Sequence, residues 1–230
     1  MNAIIFGATG SIGSYICQQF IIDGINIIGT TTKIDNIKEY ENINLIFVDN
    51  NNLDTLLNIV NVDIIIWAHG YNFNDNIDDF KSENFDTIID VNVKFILATL
   101  HFLLKNNKIN DNCKMVIISS IWEELTRENK LSYSISKAAL SGLVKNVAYD
   151  LSSKNILINN ILPGVVDNVM SKATLLPEQF KYIENYMQFG RLITLNDIYK
   201  TVKFLVIDNT GITGQSIKVD LGFSMFKKYN

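Results

Sequence analysis

Tyr133-Ser134-Ile135-Ser136-Lys137 places a phenol and an ammonium four residues apart. On a helix that spacing puts both on one face. A free phenol has a pKa near ~10 and is a poor base at neutral pH, but a neighbouring positive charge favours its ionised form. Such a pair can pass a proton to the alkoxide left when a hydride reaches a carbonyl carbon. Ser119 and Ser120 end an apolar run thirteen or fourteen residues earlier, where a hydroxyl could hold that carbonyl. Of the two, Ser120 is expected to face the substrate and Ser119 to serve as a turn or cap. Taken alone, Y-x-x-x-K occurs often by chance and two surface residues would explain it.

A second chemistry is written at the start of the chain. The apolar run Ala3–Phe6 leads into Gly7-Ala8-Thr9-Gly10-Ser11-Ile12-Gly13 and then into a helical pattern. Glycines there allow a tight turn and close approach to a pyrophosphate, and the free N–H groups of a helix start favour an anion. An NAD site commonly has an acid about 20 residues further on for the ribose diol. Here the second run ends Gly29-Thr30-Thr31-Thr32-Lys33, with no acid before Asp35. Hydroxyls and a lysine suit a 2′-phosphate, so NADP(H) is favoured over NAD(H), with Thr30, Thr31 and Lys33 as candidate contacts.

The elements that must position these residues follow from periodicity. Short apolar, β-branched runs occur at Ala3–Phe6, Ile25–Thr30, Leu45–Val48, Ile64–Trp67, Met115–Ser119, Ile156–Leu162 and Ser216–Val219. Amphipathic helical stretches fall at Ile12–Asp23, Leu53–Val60, Asn84–Lys105, Tyr133–Ser153 and Asn196–Ile207. Continuous apolar strands alternating with helices predict an α/β fold: one doubly wound parallel sheet of about seven strands, helices on both faces, a single domain over residues 1–230. Segment 165–195, after the sixth strand, is expected to cover the ligand crevice as a lid or as a helix-containing connection.

Composition narrows the function classes. The 230 residues carry a net charge of −4, with no basic surplus for nucleic acid. His69 and His101 are the only histidines and lack ligand partners at useful spacing, so no metal site is expected. Cys17 and Cys113 read as free thiols of a reducing compartment. The chain opens on a strand pattern rather than a leader peptide, and no uninterrupted apolar run reaches the ~18 residues of a bilayer span. A cytoplasmic protein without a membrane partner is the expectation.

In order along the chain stand the Gly7–Gly13 turn, Asp49, Ala68-His69-Gly70, Asn92, Ser120, Tyr133 with Lys137, Pro163-Gly164, Thr213-Gly214-Gln215 and Val219-Asp220. This series resembles the classical short-chain dehydrogenases/reductases over nearly the whole length, and the Thr30–Thr32 strand end is similar to the 3-oxoacyl-[acyl-carrier-protein] reductases among them. The resemblance implies a Rossmann fold and carbonyl–alcohol interconversion of a small molecule, with Tyr133 as acid/base, Lys137 lowering its pKa, Ser120 orienting the carbonyl and Asn92 anchoring a water in a relay to Lys137. It also implies cofactor contacts from Gly7, Thr9, Gly10, Ser11, Ile12 and Gly13, from Asp49 and Asn50 near the adenine, from Ala68 and Gly70, and from Pro163, Gly164 and Val166 near the nicotinamide. Ser11 stands where the family's turn has its middle glycine, and Asn168 where it usually has threonine.

Tyr71, Ile121, Trp122, Leu125, Arg127 and segment 165–195 are expected to wall the substrate pocket, while Glu123, Glu124 and Arg127 read as a solvated charged loop. Helix Asn84–Lys105 is apolar over more than one sheet-facing stripe, predicting a homodimer or homotetramer that shares this face and helix Tyr133–Ser153. Lys105, Lys108 and Lys154 could meet an acidic carrier, though such lysines usually only solubilise. A sugar-nucleotide substrate and a non-catalytic dinucleotide-binding regulator are the alternatives.

Overall fold

The computed structural model describes residues 1–33, 43–168, 171–172 and 175–225; Asp35 lies outside them. Seven strands form one parallel sheet: β1 (Asn2–Phe6), β2 (Asn26–Thr31), β3 (Asn44–Phe47), β4 (Val62–Trp67), β5 (Ile109–Ile118), β6 (Leu157–Pro163) and β7 (Ser216–Val219). Their order is β3-β2-β1-β4-β5-β6-β7. The order reverses at β1, and the crevice beyond the carboxyl ends of β1 and β4 is where open sheets of this kind bind ligands. The two edge strands are the shortest alongside central strands of five to ten residues.

Strand parity sorts the core. Ile4, Phe6, Ile65, Trp67, Met115, Ile117 and Ile158 face one side of the sheet. Ala3, Ile5, Ile64, Ile66, Val116, Ile118 and Ile161 face the other. Both faces are covered, which is why the strands read as continuous apolar runs. Helices α3 (Phe95–Lys105) and α4 (Leu131–Asp150) lie on the first side, and α2 (Ser82–Ile89) packs against α4. Helix α1 (Ser11–Ile22) lies on the second, with α6 (Leu195–Lys203), which follows α5 (Pro177–Tyr186). Phe6 and Trp67 stack at 5.7 Å, and the Trp67 indole N–H donates to Thr99 Oγ1 at 3.0 Å, anchoring α3 to β4.

Two elements differ from expectation. Leu53–Val60 is no α-helix: Asp54–Asn58 forms a 3₁₀ turn in which Leu56 alone is buried, too little apolar surface to dock a longer helix. The helix expected over Asn84–Lys105 is interrupted by a π-turn at Asp90–Lys94. Segment 165–195 contains α5, started by Pro177 at the first helical position. By length and composition Ser82–Lys105 would suffice to cross a bilayer; here Ile88, Phe95, Ile96, Leu100 and Leu103 are buried, while Lys94 pairs with Asp90 on its outer side.

Among the described non-glycine residues, asparagine supplies most of the left-handed turns: Asn61, Asn107, Asn112, Asn129 and Asn155 all have positive φ, a conformation this short polar side chain tolerates. Cys17 and Cys113 are buried free thiols, and burial raises the pKa of both.

The tightest packing lies at the first crossover. A Cβ on Gly13 would stand 2.2 Å from the Gly7 carbonyl oxygen, so α1 touches the β1 turn backbone to backbone. Gly13→Ala is expected to lower unfolding free energy by about 3 kcal/mol, as overpacking does; denaturant unfolding that matches the parent chain would contradict this packing.

Candidate active site

Four strand ends meet over the crevice: the Gly7 turn after β1, Ala68-His69-Gly70 after β4, Ser119-Ser120 after β5, and Pro163-Gly164 closing β6. The last three, with Ile12 from the first, line a cavity of about 410 Å³ together with Trp122, Leu125, Tyr133 and Lys137, capped by Val166, Asn168, Leu175 and Ile183. A parallel bridge from Val166 to Ile193 ties together the two ends of the covering segment.

Tyr133 and Lys137 sit in the first two turns of α4, both buried. The Lys137 Nζ lies 5.7 Å from the Tyr133 ring centre and donates to the Ile118 carbonyl at 3.2 Å. Burial pushes the Tyr133 phenol up to about 12, partly opposed by its hydrogen bond with the Ser120 hydroxyl. Burial also pulls Lys137 down to about 8, with Glu123 working the other way. The phenol is thus held protonated, the form that delivers a proton.

Asn92 lies in the π-turn with both amide hydrogens spent, on the Tyr71 carbonyl (3.0 Å) and Ser136 Oγ (2.9 Å), while its Oδ1 accepts from Tyr71 N–H (2.8 Å). It therefore fastens the loop after β4 to α4 and positions Tyr133 from behind. Of the two serines, Ser120 accepts from Trp122 N–H and caps the next 3₁₀ turn, while Ser119 donates to Glu123 Oε2 at 2.6 Å. The cap expected of Ser119 belongs to Ser120, which still faces the cavity.

The glycine turn fits a dinucleotide. Helix α1 starts at Gly10 with no side-chain cap, leaving first-turn N–H groups for an anion. Gly7, at φ +80°, abuts the His69 backbone, where a Cβ would lie 2.7 Å away. Half-buried His69 is kept neutral, its pKa lowered to about 4 by desolvation and the Lys137 charge; Nε2 bonds the Val91 carbonyl, and Nδ1 has no partner among the described residues. Such an orphaned acceptor on a cavity wall suits a ligand hydroxyl. Thr31 Oγ1 is engaged by Thr9 Oγ1 and Lys33 N–H, whereas Thr30 is buried and the Lys33 side chain is exposed. Asp49 Oδ1 accepts from Asn51 N–H in a local turn, and Asn50 is exposed. Gly164 packs against Asp220, and Asn168 accepts from Ser171 N–H.

Among the expected pocket walls, Trp122, Leu125 and Arg127 line the cavity, whereas Ile121 is core and Tyr71 is an exposed side chain outside the lining. Sequence reasoning missed His69, Asn72, Lys130 and Phe223, which do line it. Lys130 carried no helical signal, since it stands just before the first residue of α4. The charged-loop reading of Glu123 is corrected: it is buried and takes hydrogen bonds from Ser119, Ser216 and Asn160. No local pattern announces partners that β6 and β7 bring from afar.

Burial raises the Glu123 pKa, against the hydrogen bonds of Ser119 and Ser216. The folded chain then holds this proton more tightly than the unfolded one. Its contribution is fully present below the unfolded carboxylate range and is lost as pH rises through the folded value. Glu123→Gln, which keeps the hydrogen-bond shape, should flatten that loss with rising pH in a stability–pH series. Glu123→Leu, which strands three polar partners, should cost about 3 kcal/mol. Equal pH slopes for the parent and the Gln variant would contradict this account.

A sequence profile of the family described as Enoyl-(Acyl carrier protein) reductase matches residues 54–224. The 3-oxoacyl-[acyl-carrier-protein] reductase FabG of Buchnera aphidicola (subspecies Baizongia pistaciae) is 26% identical over 242 residues, covering 97% of each chain. A short-chain dehydrogenase/reductase of the glucose/ribitol dehydrogenase type from Brucella melitensis superposes with TM-score 0.89 at 19% identity, covering 98% of this chain and 97% of its own. A variant of ElxO with NADPH bound gives 0.84 at 21% identity, covering 97% and 98%. Fold, strand-end geometry and sequence agree: the chain belongs to the short-chain dehydrogenase/reductase family of oxidoreductases.

Proposed function

We propose that this oxidoreductase is an NADP(H)-preferring reductase of a small carbonyl compound, with Tyr133 as the proton donor. The observation that carries this reading is the Tyr133 phenol, hydrogen-bonded to Ser120 and overlain by Lys137, on the wall of one cavity with Ile12 of the glycine turn. A bound nicotinamide supplies the hydride in reduction and accepts it in oxidation. Ser120 Oγ–H holds the carbonyl oxygen and aligns it. Tyr133 Oη releases its proton to that oxygen as the carbon–oxygen double bond becomes single, and the Lys137 ammonium stabilises the phenolate left behind. In the alcohol-oxidising direction the phenolate takes the proton back. Asn92 acts through Tyr71 and Ser136 by fixing where α4 begins.

Gly7, Gly10, Ser11, Ile12 and Gly13 would cradle the pyrophosphate. Thr9 and Thr31 would shape the floor under the adenosine ribose, with Thr30 beneath and Lys33 on a 2′-phosphate. Asp49 and Asn50 would border the adenine, Ala68 and Gly70 the ribose side, and Pro163, Gly164 and Val166 the nicotinamide. NADPH is supported by the hydroxyl and lysine chemistry at the end of β2 and by the NADPH bound to ElxO. Segment 165–195 is the substrate cover, since Val166, Leu175 and Ile183 line the cavity. Two buried free thiols fit a cytoplasmic setting.

We further propose a homodimer or homotetramer joined through α3 and α4, where Leu97, Ile135 and Tyr149 are exposed. Light scattering should give two or four times 26.1 kDa; a monodisperse species at the single-chain mass rejects this assembly. For the chemistry, Tyr133→Phe should lower kcat by at least ~10³-fold, with NADPH binding kept, because loss of a positioned general acid acts on the chemical step. The parent chain should use NADPH better than NADH on the same carbonyl. Full turnover by the Phe variant would overturn the mechanism, and a better kcat/KM with NADH would overturn the cofactor preference alone.

A further inference from the structure

The described lining of the cavity contains no aspartate or glutamate, yet Arg127, Lys130 and Lys137 all reach it. Lys137 belongs to the proton machinery. Lys130 does not, and at 2% exposure it is among the most deeply buried side chains of the fold. Its ammonium donates to two neutral oxygens, Asn72 Oδ1 and Asn74 Oδ1, each at 2.8 Å. An ammonium has three protons, so one is left over. The same Nζ stands 5.5 Å from the Tyr133 ring centre, beside the reacting phenol.

A buried ammonium without an anion is costly. Among the described residues no carboxylate forms a salt bridge with Lys130. Asp75, the acid whose field it feels, accepts from Ser132 N–H (3.0 Å) and the Ser132 hydroxyl at the start of α4. Arg127 adds a second cation, its guanidinium 5.7 Å from the Trp122 ring centre. Burial, and after it the Arg127 charge, bring the Lys130 pKa down to about 8, against the opposing pull of Asp75. Pinning the 72–74 loop would need only donors, which a glutamine amide supplies without charge. With only neutral oxygens bonded to it, the Lys130 ammonium can take an anion from the ligand as its direct partner.

We propose that the substrate carries a carboxylate one or two carbons from its carbonyl carbon, recognised by Lys130 with Arg127 beside it. This rests on the carbonyl-reductase reading and names its substrate class: a 2-oxo or 3-oxo acid whose hydrocarbon tail lies against Leu125, Leu175, Ile183 and Phe223, which line the rest of the cavity. A 3-oxoacyl thioester has no charge at that distance from its ketone.

The test compares 2-oxohexanoate with its methyl ester and 3-oxohexanoate with its ethyl ester, using the full chain and NADPH. At least one acid should exceed its ester by ~10-fold or more in kcat/KM, the scale of a charge pair kept against one lost. Lys130→Gln should collapse that ratio by raising KM for the acid, and Lys130→Arg should restore most of it. Esters used as well as acids in both pairs overturn the proposal, whether or not the variants fold. Equal losses on acid and ester in Lys130→Gln also overturn it, leaving Lys130 as a brace. Binding of unreactive N-propyl oxamate, followed by quenching of Trp122 fluorescence, separates the two readings. Binding that weakens at least tenfold in Lys130→Gln, with no turnover of any carbonyl, keeps the anion site and rejects the reductase. Absence of oxamate binding to the parent chain rejects the anion site.

Discussion

Gly13 has no room for a side chain beside the Gly7 carbonyl, and Gly7 has none beside the backbone of His69. These two contacts tie α1, the β1 turn and the end of β4 into one rigid piece. From His69 the linkage runs on through its ring to the Val91 carbonyl, and from the neighbouring Asn92 through its amide to Tyr71 and Ser136. Ser136 in turn donates to the Tyr133 carbonyl at 2.8 Å. The residues that suit a dinucleotide and the residues that suit proton transfer are therefore held in one frame of short contacts, each already packed or hydrogen-bonded before any ligand arrives. Preorganisation of this kind lets binding energy go into chemistry rather than into ordering the site.

Burial governs the electrostatics of the same region. It raises the Tyr133 phenol, lowers the Lys137 and Lys130 ammoniums, and keeps His69 neutral. Glu123, behind the strand ends, answers Lys137 through the low-dielectric interior. Each side chain alone is ordinary. Beyond this common desolvation, the Lys137 charge is felt by both His69 and Glu123.

Much of this was legible in the sequence because it was local. The parallel sheet followed from apolar runs too continuous for a half-exposed strand. Tyr133 and Lys137 followed from helical spacing, and the Gly7–Gly13 turn from its place between strand and helix. What could not be read depended on distant partners. Glu123 looks solvated beside Glu124 and Arg127 until Asn160 and Ser216 arrive from β6 and β7. Lys130 looks like a surface lysine until Asn72 and Asn74 fold over it. The π-turn around Asn92 leaves the apolar periodicity of its helix almost untouched, so no pattern announces it. Leu53–Val60 has helical composition but too little apolar surface to stay helical.

The sheet ends on either side in a strand of four residues, β3 and β7. Open strand edges are templates on which foreign chains can add, and brevity is one of the ways natural proteins blunt them. This fold thus presents few free ladder groups to a stray partner while its long central strands are shut inside. Its vulnerable moment comes earlier, during folding: every neighbouring pair of strands is parallel, none can form as a hairpin, and β4 or β5 must wait exposed until a crossover brings its partner alongside.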